Sequence, residues 1–117
     1  MSVRVANLLP YTVLKILAFQ DRHENKDAYD LVFTLLNHAE GPRTAGINAA
    51  ASAVVRHPQV TEALALLEDR FREIGQDGPS AYASFLAMPD NEEEKARFRQ
   101  QAVATISEFS TGLREGS

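Results

Sequence analysis

The chain has 117 residues, 44% apolar and 24% charged, with a formal net charge of −4 at pH 7. That composition leads us to expect one globular domain over residues 1–117, large enough for its own core. It contains no cysteine, which excludes disulfides, thiolate metal sites and cysteine nucleophiles and suits a cytoplasmic protein. No apolar run reaches the roughly 18 residues needed to cross a membrane, and the N-terminal stretch lacks a signal-peptide core. The charge is uneven: residues 1–45 hold five basic and five acidic side chains, so the −4 falls on the remainder. An acidic balance with no basic cluster argues against direct nucleic-acid binding.

Val3 and Val5 alternate with Arg4, which predicts a short extended lead-in over residues 1–8. A first helix is expected from Pro10, tolerated in a first turn, to about Arg22, with Asn7 as a candidate cap. Val13, Leu14, Leu17 and Ala18 form one stripe, and Ile16 and Phe19 widen it, so contact on two sides is expected. After His23-Glu24, Asn25 is the expected cap of a second helix over about Lys26–His38. Tyr29, Leu31, Val32, Phe33, Leu35 and Leu36 surround most of its circumference, which predicts the central, most buried helix.

Gly41-Pro42 ends that element. A third helix over about Arg43–His57 is rich in small residues, including Ala45, Gly46, Ala49 and Ala50. Gly46 costs about 1 kcal/mol against alanine in a helix interior, which marks it as a point of close backbone approach. A fourth helix runs from Pro58 to about Ile74, with Val60, Leu64, Leu67, Phe71 and Ile74 at helical spacing. A short helix over about Ser80–Ala87 follows the Gly78-Pro79 turn. A last helix is capped by Asp90 or Asn91, with three glutamates in its first turn. Its stripe is Phe98, Ala102, Ile106, Phe109 and Leu113, and Glu115-Gly116-Ser117 is expected to fray. The fold class is all-α: a single bundle of five or six helices.

The most chemical stretch is Lys15 to Asp30. Lys15 lies in an apolar run and shares a stripe with Tyr11, Ala18 and Arg22; Asp27 and Asp30 share a face of the second helix. If the short loop makes the two helices antiparallel, Lys15 lies about 10 Å from its end and Asp30 about 7 Å from its own. The pair would then be nearly level, with Asp27 beside Arg22 or Lys26. Two readings follow. Lys15 and Asp30 form a register-fixing ion pair, or Lys15 is poised for phosphate with acids placed for a metal or proton. His23, His38 and His57 lack zinc spacing and read as loop or helix-end residues. No glycine-rich phosphate loop and no nucleophile elbow is present.

The run Lys15-Ile-Leu-Ala18, then Asp21-Arg22, then Lys26-Asp27-Ala-Tyr-Asp30-Leu, resembles the lysine and Asp-x-x-Asp motifs of the AbiEii-type toxin nucleotidyltransferases. The resemblance is specific over about residues 8–36 and looser downstream. It implies Lys15 on nucleotide phosphate, Asp27 as an acidic catalytic residue, and Asp30 supporting Lys15 or the site. In that family these motifs follow an α/β core whose Gly-Ser loop and Asp-x-Asp/Glu hold Mg²⁺, and neither motif is present here. The expectation is therefore a helical C-terminal part, a split subunit or truncated product, inactive alone and without a cofactor. Mg²⁺ and a nucleoside triphosphate are implied for a complete family member. The implied partners are a complementary nucleotidyltransferase core, an antitoxin or a second copy. The rival expectation is a non-catalytic helical interaction or dimerisation module.

Overall fold

A computed structural model describes residues 5–52 and 54–116, with side chains from Leu8 onward. The described residues form an all-α bundle of six helices: α1 (Val5–Arg22), α2 (Asn25–Leu36), α3 (Gly41–Ala50), α4 (Pro58–Arg70), α5 (Asp77–Leu86) and α6 (Glu92–Gly116). The starts of α4 and α6 have clear local causes. Pro58 occupies the first turn of α4, where its missing N–H costs nothing, and the His57 Nδ1 accepts the Gln59 N–H at 3.2 Å. Asn91 Oδ1 accepts the Glu94 N–H at 2.9 Å, and Glu92, Glu93 and Glu94 lie against the positive end of α6.

Several boundaries differ from the pattern-based expectation. Residues 5–8 are helical, so Asn7 lies inside α1 and Pro10 is internal to it; residues 1–4 of the expected lead-in lie outside the described residues. Asn25 is the first residue of α2, and Glu24 stands at the cap position without a capping hydrogen bond. α3 ends at Ala50 and gives way to turns before His57, where Val54 is exposed and Val55 packs partly against the core. α4 ends at Arg70, with Phe71 buried at its cap and Ile74 out in solvent. α5 starts three residues earlier than expected, taking Gly78 and Pro79 into its first turn. Of the three residues expected to fray, Glu115 and Gly116 are helical, with Arg43 donating to both Glu115 carboxylate oxygens at 2.6 Å, and Ser117 lies outside the described residues.

One core unites Leu8, Ile16 and Phe19 of α1, Leu31, Val32 and Leu35 of α2, Leu67 and Phe71 of α4 and its cap, and Ile106 and Phe109 of α6. α2 touches α1, α3, α5 and α6, yet Phe33 and Leu36 are exposed, so it is central without being enclosed. The small residues of α3 act as expected. A methyl on Gly46 would run into the Phe109 carbonyl of α6, and one on Gly112 into the Arg43 carbonyl of α3. Glycine is required at both positions because the two backbones approach closely, not because of the dihedral angles.

Candidate functional site

α1 is organised by a buried face that its sequence disguises. Leu8, Leu9, Thr12, Ile16 and Phe19 point into the core. Thr12, polar and fully buried, satisfies its hydroxyl by donating to the Leu8 carbonyl at 2.8 Å. Leu14 and Leu17, expected in the buried stripe, stand out in solvent at 64% and 46% exposure. The flank between these two faces carries Tyr11, Lys15 and Arg22 and lies against α2.

The connection that brings α2 alongside is short. His23 takes a left-handed conformation (φ 54°) and donates its N–H to the Phe19 carbonyl at 2.7 Å, closing α1. That conformation is uncommon for a residue with a Cβ, and the 5.5 Å contact between the His23 and Phe19 rings accompanies it. α2 then presents Asp27 and Asp30 to the flank of α1.

The three expected site residues meet. Lys15 Nζ donates to Asp30 Oδ2 at 2.8 Å and lies 3.7 Å from Asp27 Oδ1. Arg22 Nη2 donates to both Asp27 oxygens, at 2.9 and 3.1 Å, and Lys26 Nζ donates to Asp30 at 3.0 and 3.3 Å. Lys15 Nζ also stands 5.8 Å from the centre of the Tyr11 ring, within cation–π range. The side chains of Asp27, Asp30 and Lys15 are 4%, 14% and 20% exposed, whereas Arg22 and Lys26 reach solvent. Asp27 thus takes Arg22 as its hydrogen-bonding partner, and Lys15 and Asp30 are level as the helix arithmetic predicts.

The electrostatics are those of a closed ion-pair network. The Lys15 ammonium is held above its ordinary value by its hydrogen bond to Asp30, against the opposing effect of burial. Burial pushes the Asp30 carboxyl up, but the hydrogen bonds from Lys15 and Lys26 outweigh it and leave the group below its usual value. Two carboxylates face three cations, for a local charge of +1. Such a setting does not fit a divalent cation: both acids already hold cationic donors, and Mg²⁺ would have to displace them. Phosphate at Lys15 would likewise displace Asp30.

The flank residues were legible from helical spacing, because Lys15, Arg22 and Tyr11 recur at 4- and 7-residue intervals. A second surface was not. Leu17 of α1 and Ala63, Ala65 and Leu66 of α4 line an open groove of about 620 Å³, with Gln59, Glu62 and Asp69 along it. The sequence signal available for it was Glu62-x-x-Ala65-x-x-x-Asp69, a helical stripe of small and acidic residues that reads as a solvated face. Among the described residues no helix is long and apolar enough to cross a membrane. No protein-family model, curated protein or solved structure matches the chain.

Proposed function

We propose that this chain is a non-catalytic helical interaction module, cytoplasmic in location, in which Lys15, Asp27 and Asp30 fix the register of α1 on α2. The observation that carries this reading is the closure of the cluster. Asp27 is almost fully buried and engaged on both oxygens by Arg22, and Lys15 is committed to Asp30. A catalytic base needs an open approach to its proton, and a phosphate ligand needs an uncommitted donor. Neither residue offers that here. The cysteine-free composition supports the cytoplasmic assignment.

A second reading keeps the AbiEii-type resemblance: the helical part of a nucleotidyltransferase-like protein of toxin–antitoxin or phage-defence type. Its support is the exposed Leu14 and Leu17 on α1, the helix against which a missing core would pack. Calorimetric titration with each nucleoside triphosphate and Mg²⁺, for the native chain and Lys15→Ala, separates the two. The interaction module predicts no heat at ligand concentrations of about 1 mM. Saturable nucleotide binding that Lys15→Ala removes would overturn it in favour of the second reading.

A further inference from the structure

We infer that the groove between α1 and α4 docks a basic amphipathic helix of a partner protein; this rests on the interaction-module reading and gives that module its partner class. The groove has the shape for a helix. Its α4 wall extends from Gln59 to Asp69, which at 1.5 Å per residue is about 15 Å, or three helical turns. Leu17, Ala63 and Leu66 supply an apolar floor, and Leu14, one turn along α1 from Leu17, prolongs the apolar strip beyond it. An open trough of this length suits side chains presented at i, i+3 or i+4 and i+7 from a second helix.

The charge selects the occupant. The charged side chains lining the groove are Glu62 and Asp69, both acidic. Among the described residues Glu62 pairs with no cation, and Asp69 has only Arg72, at 4.0 Å and largely in solvent. Asp21 continues the exposed Leu14–Leu17 stripe of α1 with a third carboxylate. A lysine- or arginine-flanked apolar helix would meet complementary charge along both edges. A second copy of this chain would bring the same carboxylates face to face in a two-fold interface, and a nucleic acid would bring more negative charge.

The test is fluorescence anisotropy on the full chain with two labelled amphipathic peptides of about 15 residues, one Leu/Lys and one Leu/Glu. Native chain, Glu62→Lys/Asp69→Lys and Leu17→Glu are compared at about 0.05 and 0.5 M salt. These positions are on the surface, and circular dichroism checks that each variant is folded. The Leu/Lys peptide is expected to bind at least about tenfold more tightly than the Leu/Glu peptide, and more weakly at high salt. The double charge reversal is expected to invert the preference, and Leu17→Glu to weaken the Leu/Lys peptide. Equal affinity for the two peptides, no saturable binding at about 1 mM, or indifference to the charge reversal would overturn the proposal. A homodimer by sedimentation that Leu17→Glu dissolves would also overturn it, in favour of a second copy. Failure here with no nucleotide binding removes the groove and leaves the module. Nucleotide binding lost in Lys15→Ala removes the module itself.

Discussion

Replacing Asp27 with alanine separates a structural carboxylate from an idle one. The substitution removes two hydrogen bonds from Arg22, at 2.9 and 3.1 Å, and a charge 3.7 Å from Lys15. A hydrogen bond to a charged group contributes about 1.5–3 kcal/mol when desolvated. Arg22, however, is 54% exposed and regains water once released, so the pair deserves only part of that figure. Lys15 keeps Asp30 at 2.8 Å, so no buried cation is orphaned and the 3–5 kcal/mol typical of a broken buried pair is not reached. The expected loss is about 1.5 kcal/mol. With a urea m-value of about 1.5 kcal/mol/M, the unfolding midpoint followed by circular dichroism should fall by about 1 M. Arg22→Ala/Asp27→Ala should lose less than the sum of the single variants, with a coupling of about 1 kcal/mol. A midpoint within about 0.2 M of the native chain would show that the pairing contributes nothing to the fold, and the register argument would fail.

Two further predictions concern pH and helix packing. Asp30 has a lowered pKa in the folded chain, so its stabilisation is present above the ordinary carboxylate value and is lost as pH falls through the lowered one. Lys15 has a raised pKa, so its contribution is complete below the ordinary lysine value and is lost as pH rises through the raised one. Urea midpoints at about pH 3, 7 and 11 should therefore fall less from the neutral value in Asp30→Ala than in the native chain; identical profiles would refute the pairing. Gly112→Ala places a methyl against the Arg43 carbonyl and beside the Ile47 N–H, backbone atoms that cannot swing aside. Separating α3 from α6 should cost about 2.5 kcal/mol, or about 10 °C in Tm for a chain of this size. Gly75→Ala, with no neighbour within 4 Å, should shift stability by less than about 1 kcal/mol, and equal Tm values for the two variants would refute the close approach.

The bundle was readable from periodicity wherever apolar spacing and polarity agreed. The α6 stripe of Ala102, Ile106 and Phe109 is buried as expected, with Phe98 and Leu113 packed at its edges. The differences in burial share one cause: periodicity counts apolar residues, whereas burial follows packing. In α1 the buried face includes Thr12, whose back-bonded hydroxyl makes it acceptable inside, while Leu14 and Leu17 were drawn into a stripe that the fold leaves outside. In α2, Phe33 and Leu36 complete an apolar circumference on paper but lack a covering element. Phe33 instead packs in a surface aromatic group, its ring 5.3 Å from Tyr29, which stacks on Phe85 at 4.7 Å. The ion-pair cluster was legible because helix rise and loop length set the level of Lys15 against Asp30. Which cation Asp27 would take was not, since Lys26 adjoins it in sequence while Arg22 lies five residues before it across the loop, and only the direction of α2 brings Arg22 within reach.

The cluster and the groove occupy different flanks of α1, and that separation bears on how the chain works. Successive helical residues are turned by about 100°, so Leu14 is rotated by about 100° and Leu17 by about 160° from Lys15. Tyr11, Lys15 and Arg22 face α2; Ile16 and Phe19 face the core; Leu14, Leu17 and Asp21 face outward, on the side of α4. An apolar core face alone tolerates small rotations of a helix, because dispersion contacts are many and individually weak. The charged flank does not, because Lys15 must meet Asp30 while Arg22 meets Asp27, two contacts about two turns apart on one helix. The rotation so fixed is also the one that turns Leu17 toward the groove. On the interaction-module reading the residues with the strongest appearance of chemistry contribute by orientation, and recognition would fall to the outward flank, where Leu14, Leu17 and Asp21 are exposed.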